Sequence, residues 1–380
     1  MKLSDIKLKS KGTFKTLSCF IDTFEDSMSF ELSHFDNSHE HLLYDSFVIA
    51  CIPLMIANKE SLLVDGCVDT VLLKQLNTVV LPMLCKLYNI EDTISVKASK
   101  SVLVKTKGKE WVVTGLSCGV DSFTTIKTRT QKKQKLDALT FFDAGSHGLY
   151  GGKITQINYN YRLNNVENTA NKLKLPLVKV RSNNYKFTSE LFQEWHSFLN
   201  LSCVFATGGL IKKYYYASAY TKEKSVMKAG DTSNFDHYIL PELYTSYLKV
   251  TSSVTELNRV ERTRFIQDDA LVRQHLDVCT NSIEASNIKR QNCTSCAKCL
   301  RTALTLDSLG VIEEFNNVFD LKRYHKNKNR YIASLLNSKT IIDIELVDHL
   351  KEEKKIHFKH YLLSIYLQFK NTLKKRYVSL

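Results

Sequence analysis

Trp111-Val112-Val113-Thr114-Gly115-Leu116-Ser117-Cys118-Gly119-Val120-Asp121-Ser122 is the stretch that decides the fold. A short β-branched run enters a cluster of small residues and leaves it as a helical pattern, so the expected order is strand, tight turn, helix. Such a turn leaves backbone N–H groups pointing outward, and the helix adds its positive N-terminal end. Together they make a nest for a phosphate group. Ser117, Cys118, Gly119, Val120, Asp121 and Ser122 are the expected phosphate site, with hydroxyl donors at Ser117 and Ser122. Asp121 falls in the first helical turn, where a carboxylate is favourable and can orient the loop or help hold magnesium. No Gly-x-x-x-x-Gly-Lys-Ser/Thr follows any strand, which argues against a motor or switch ATPase.

Outward from this stretch, apolar runs alternate with helical patterns. Ala138 to Phe142 is followed by Asp143-Ala144-Gly145, and Pro176 to Val180 by Arg181-Ser182-Asn183-Asn184. Tyr214 to Ala219 and Leu248 to Thr251 are two further runs. Helical patterns fill residues 121–133, 163–174, 188–211 and 258–277. This alternation predicts an α/β fold with a parallel, doubly wound sheet covered on both faces. Ligands of such sheets bind beyond the carboxyl ends of the strands, here Ser117, Asp143, Ser182 and the segment after Ala219.

Residues 1–105 read as a mixed α+β accessory domain, a substrate lid or a dimer surface, which leaves room for a homo-oligomer. Strands are expected within Phe14 to Phe24 and Leu62 to Asp65, a buried helix or strand at Ser46 to Ala57, and a helix from Asp69 to Tyr88. Residues 106–310 form the expected catalytic domain, and 311–380 a helical basic tail. The chain carries 53 Lys and Arg against 39 Asp and Glu, a net charge of +14. That permits nucleic acid, nucleotides or acidic lipid as partners. Residues 351–380 alone hold Lys351, Lys354, Lys355, Lys359, Lys370, Lys374, Lys375 and Arg376 against Glu352 and Glu353. The start, MKLSDIKLKSKGTFKT, is charged and lacks an apolar core. No stretch approaches the ~18 apolar residues that span a bilayer. A cytoplasmic protein without a membrane span is the expectation.

Ten cysteines in such a compartment argue against a disulfide framework. Cys293, Cys296 and Cys299 stand at Cys-x2-Cys-x2-Cys spacing, and Cys279 lies upstream. Four thiolates make a closed tetrahedral zinc site and also suit an iron–sulfur cluster. Arg301 follows within one turn and either reaches a phosphate or pairs with a carboxylate. His147 is expected near substrate or on a surface loop, His196 as a packing residue, and Lys228 as a further cation for phosphate.

The loop resembles the Ser-Gly-Gly-x-Asp-Ser signature of the PP-loop ATP pyrophosphatases, of the adenine nucleotide α-hydrolase-like (HUP) type. Ser117, Gly119, Asp121 and Ser122 match it; Cys118 stands where the family has glycine. A loop early in the sheet and four late cysteines together resemble the 7-cyano-7-deazaguanine synthase family. Softer echoes are Gly230-Asp231-Thr232-Ser233-Asn234-Phe235-Asp236 before Tyr238 and Pro241, then Ser252-Ser253, then Arg259-Val260-Glu261-Arg262. The resemblance covers about residues 109–310. It implies zinc in the segment 279–302, and ATP with magnesium on the loop. Asp121 and Ser122 would be catalytic. The adenine would pack near Phe142, Asp143 and Ser182, and Arg301 would face phosphate. It further implies AMP-forming activation of a small-molecule carboxylate or carbonyl, with release of pyrophosphate and formation of an amide, nitrile or related bond. The longer upstream cysteine spacing and Cys118 make the chain a divergent cousin with its own substrate. The rival expectations are a nucleic-acid-binding protein with an inactive nucleotide fold, and a tRNA-modifying PP-loop enzyme.

Overall fold

Ten strands form one sheet in the computed structural model, which describes residues 1–35, 41–106, 110–188 and 192–378, with side chains to 370. They are β1 (Lys2–Lys11), β2 (Phe14–Ile21), β3 (Asp26–Leu32), β4 (Leu62–Asp69), β5 (Val96–Val102), β6 (Trp111–Gly115), β7 (Ala138–Asp143), β8 (Leu177–Ser182), β9 (Ile211–Ala217) and β10 (Lys249–Ser253). Their spatial order is β10-β9-β6-β7-β8-β3-β2-β1-β4-β5. The pairs from β10 to β8 are all parallel. β3 joins β8 antiparallel, with Phe30 opposite Ser182. β1 to β3 form antiparallel pairs, and β4 and β5 return to parallel. The protein is thus α/β with a large, mostly parallel sheet.

All five strands expected between residues 109 and 255 are present. Lys109, where the alternation was expected to begin, lies outside the described residues, as do residues 189–191 at the start of the expected 188–211 helix. That helix runs Phe192–Phe205, and the one expected at 163–174 begins earlier, as Lys153–Leu173. The helix expected over 258–277 is two, Arg259–Ile266 and Ala270–His275. Asp269 breaks it by accepting the Leu271 N–H at 2.8 Å, which starts a new helix.

The expected domain boundaries need correction. The chain divides into two compact units, residues 1–116 with 128–255, and residues 117–127 with 256–380. The first 105 residues are not a separate domain, because backbone pairing of β3 with β8 carries the sheet straight into them. Three of their strands, β1, β3 and β5, were not expected from the sequence. Nor do residues 311–380 stand apart: their helices Leu321–Leu335, Ile341–Glu352 and Phe358–Val378 belong to the second unit.

In the first unit, helix Asp45–Asn58 is buried on every side from Asp45 to Ile56. An all-round apolar helix belongs in a core, and this one packs against Phe192–Phe205. The helical stretch Thr70–Leu87 corrects one part of the membrane expectation, that no stretch approaches bilayer-spanning length. It is long and apolar enough to cross a bilayer on length and composition. In the structure Leu72, Leu76, Val80, Leu81 and Leu84 are buried along it, the pattern of a core-facing helix.

Asp45 carries a consequence for pH. Its carboxylate accepts the Asp69 N–H at 2.9 Å and the Tyr247 hydroxyl at 2.8 Å, 1% exposed. Burial pushes its pKa up to about 7, although the Asp69 N–H opposes the rise. An acid raised on folding stabilises the native state below its unfolded pKa, near ~4, and that contribution is lost as pH rises through ~7. Urea denaturation should therefore show stability falling between about pH 5 and about pH 8, and Asp45→Asn should flatten that slope and gain about 2 kcal/mol at the upper end. An unchanged slope in the variant would remove Asp45 as its source.

Candidate functional site

The second unit begins with the loop. Its first intrahelical bond is Phe123 N–H to the Gly119 carbonyl, 3.1 Å. The N–H groups of Val120, Asp121 and Ser122 therefore have no acceptor within helix Val120–Gln131. Inside the loop, Gly119 N–H donates to Ser117 Oγ at 3.3 Å, and the Ser122 hydroxyl donates to the Gly119 carbonyl at 3.0 Å. The Ser117 hydroxyl stands 3.4 Å from Ser122 Oγ. Ser117 is exposed, Ser122 buried. Cys118 has φ 57°, in the left-handed region, with its side chain buried. That conformation costs a non-glycine residue about 1 kcal/mol.

Asp121 is held between two guanidiniums. Arg262 Nη1 lies 2.6 Å from Oδ1 and Arg259 Nη1 lies 2.8 Å from Oδ2. The Arg262 side chain is fully buried, and those of Arg259 and Asp121 are 20% and 24% exposed. Burial pushes the Asp121 carboxyl up, but Arg259 and Arg262 outweigh it and hold the group below the ordinary carboxylate range. Burial likewise depresses Arg259, with Arg262 and Arg301 adding and Asp121 opposing. The pair was legible in outline, since Arg259 and Arg262 stand at i,i+3 on one helix, but the sequence did not tie them to Asp121. Of the two roles expected for Arg301, the observed one is the carboxylate pair: its Nε lies 2.8 Å from Asp343 Oδ1.

The four cysteines converge. Their sulfurs all lie within 4.8 Å of one another, and Cys279, Cys293 and Cys299 are buried. Cys293 Sγ and Cys299 Sγ are 3.8 Å apart. A tetrahedron with ~2.3 Å metal–sulfur bonds has edges of about 3.8 Å, so the set fits zinc. Backbone N–H groups point at the sulfurs as they would at thiolates: Asn281 to Cys279 at 3.2 Å, Cys293 to Cys279 at 3.4 Å, and Cys296 to Cys293 at 3.3 Å. Cys296 caps helix Ala297–Ser308, which carries Cys299. Sulfur-to-sulfur hydrogen bonding with Cys279 pulls Cys293 and Cys296 below the ordinary thiol range. The cluster could hold a metal such as zinc.

Two residues that the sequence did not single out support the cysteine segment, and one of them, Asp277, joins it to the loop. Asp277 N–H donates to the Cys118 carbonyl at 2.8 Å, and its carboxylate accepts the Cys279 N–H at 3.1 Å. Asn292 is fully buried; it accepts the Val278 N–H at 2.9 Å and donates to the Leu276 carbonyl at 2.8 Å. The strand-side flank of the loop is thus braced by the segment that begins the cysteine cluster.

Asp143 and Ser182 belong to the first unit, at the carboxyl ends of β7 and β8. The Tyr185 hydroxyl donates to Asp143 at 3.2 Å, and Arg181 Nε lies 3.5 Å away. Burial pushes the Asp143 carboxyl up against the pull of Arg181. Both residues line a cleft of about 480 Å³ with Tyr150, Gln156, Arg181 and Tyr185. The Ser182 hydroxyl donates to the Ser29 carbonyl on β3, 2.9 Å. His147 is not on the surface: it is buried, Nε2 meets the Phe142 carbonyl at 3.1 Å and Nδ1 meets Arg162 at 3.1 Å. Burial first, then Arg162, brings its pKa down to about 3. His196 Nε2 lies 3.3 Å from Ser233 Oγ, which ties its helix to the Gly230–Asp236 turn. Lys228 is exposed.

Set against protein-family descriptions, curated proteins and solved structures, the chain matches none of them.

Proposed function

We propose that the chain is a PP-loop, AMP-forming ATP pyrophosphatase that activates a carboxylate or carbonyl group of a small-molecule substrate. The observation that carries the reading is the loop Ser117–Ser122. It combines three open helix-terminal amides, an exposed hydroxyl and a left-handed residue with a carboxylate gripped by two guanidiniums, one of them fully buried. Amides so arranged bind phosphate oxygens in any helix-capped nest. Strand order supports it too. From the first strand of the parallel run, β8-β7-β6-β9-β10 reads 3-2-1-4-5, a doubly wound order whose switch point falls between β6 and β9.

In this mechanism the amides of Val120, Asp121 and Ser122 and the Ser117 hydroxyl hold the pyrophosphate being released. Asp121 does not face phosphate; it fixes Arg259 and Arg262, whose positive charge outnumbers it. Magnesium, bound with ATP, would neutralise the phosphates further. A substrate oxygen attacks the α-phosphorus, the bond to the β-phosphate oxygen breaks, and pyrophosphate leaves with the electron pair. An amine or other nucleophile then displaces AMP from the activated carbon. Positioning and charge neutralisation supply the catalysis. The cysteine centre is proposed as zinc, closed and structural.

The test is product analysis with ATP labelled at the α-phosphate, run with candidate carboxylates and with RNA. AMP and pyrophosphate are expected. ADP and free phosphate would sink the assignment. Release that requires RNA would move the substrate to tRNA.

A further inference from the structure

Among the described side chains, to Lys370, helix Phe358–Val378 is apolar on two sides, and one of them is covered. His360, Leu363, Ser364 and Leu367 face inward; His360 Nε2 meets Asn329 Oδ1 at 2.9 Å, and Asn337 donates to the Ser364 carbonyl at 3.3 Å. On the other side Phe358, Tyr361, Leu362, Ile365, Tyr366 and Phe369 are 75%, 45%, 53%, 64%, 57% and 65% exposed. At 3.6 residues per turn these six cover about 140° of the circumference and about 17 Å of length. Isolated exposed apolar residues need no account, but a contiguous stripe of this kind marks a contact surface.

We infer that this stripe docks on an anionic lipid surface. Charge selects that occupant. The helix holds Lys359, Lys370, Lys374, Lys375 and Arg376 and no Asp or Glu. Lys359 and Lys370 fall at the edge of the stripe, between it and the buried side. Beside the first turn lies a hollow of about 110 Å³ lined by Lys328, Lys355, His357, Lys359 and His360, with Asp307 paired to Lys328. Apolar and aromatic side chains flanked by Lys and Arg on one helix are the pattern that lies flat in the bilayer interface, where anionic lipid attracts basic residues. A second copy of the chain is disfavoured, because it would set two all-basic helices side by side. Nucleic acid would pair with the lysines but leaves Leu362 and Ile365 without a partner. The inference does not depend on the proposed chemistry, since no residue of the loop takes part.

The test uses the full chain and sedimentation with vesicles of phosphatidylcholine alone or of phosphatidylcholine with phosphatidylglycerol. Wild type should partition onto the anionic vesicles, weakly onto the neutral ones, and less as salt is raised. The triple variant Ile365→Ser, Tyr366→Ser, Phe369→Ser should bind on the order of a hundredfold more weakly, with unchanged thermal unfolding because those side chains are exposed. Lys359→Gln with Lys370→Gln should erase the preference for phosphatidylglycerol. Wild type that stays in the supernatant, or a triple variant that binds as well as wild type, overturns the inference. So does a dimer that the triple variant dissolves in the absence of vesicle binding, or binding to RNA and not to vesicles.

Discussion

Asp121→Ala should destabilise the second unit by about 3–5 kcal/mol as well as abolish pyrophosphate release. The carboxylate accepts from Arg259 and Arg262 at 2.8 and 2.6 Å, and the Arg262 side chain has no solvent exposure. Removing the anion leaves two desolvated cations facing each other, a penalty larger than the net worth of the ion pairs. A variant that is merely inactive would thus be misread without a stability measurement. Urea denaturation separates the effects, and the double variant Asp121→Ala, Arg262→Met should regain part of the loss. Ser117→Ala, which removes the exposed hydroxyl proposed to hold pyrophosphate, should lose activity at nearly wild-type stability. The pH dependence has the opposite sign to that of Asp45. A carboxyl depressed on folding stabilises the native state above its unfolded pKa of ~4 and loses that contribution as pH falls through the lower folded value. A wild-type urea midpoint for Asp121→Ala would refute this account of the ion pairs.

Removing the metal is the other large perturbation expected. Purified protein should carry about one zinc per chain, with four thiolates and no bound water. Structural zinc supplies folding energy, on the order of 10 kcal/mol in isolated zinc-binding segments. Cys296→Ser or a strong chelator should therefore lower metal content and thermal stability together, far more than Cys203→Ser does. The structure adds a route by which this reaches the loop. Asp277 binds the Cys118 carbonyl with its N–H and the Cys279 N–H with its carboxylate. When Cys279 is released, that brace loosens. Hydrogen exchange at residues 117–123 should accelerate in the metal-depleted protein, alongside 277–299. Fresh reduced protein with neither zinc nor iron would refute the centre. Iron with visible absorbance would keep the ligands and replace zinc by a cluster.

The sequence by itself determined the features that rest on short-range chemistry. Strand, turn and helix around Ser117, the five parallel strands and the convergence of Cys279, Cys293, Cys296 and Cys299 could be read because each depends on local periodicity or on spacing along the chain. Only the tertiary structure decided the rest, because it depends on pairings between distant residues. β1, β3 and β5 carry few continuous apolar runs, and nothing local shows that Phe30 pairs across from Ser182 to carry the sheet into the first hundred residues. A carboxylate at 121 looked equally fit for magnesium or for the loop. In the structure it pairs with two arginines more than 130 positions away, whose helix brings both to one face. Burial likewise overrode type at His147, which its loop position suggested for the surface, and at Asp45, which its charge suggested for water. Conversely, the bare stripe on helix Phe358–Val378 could not be told from a core face by periodicity, since a helix apolar on two sides reads the same whether one side is covered or both.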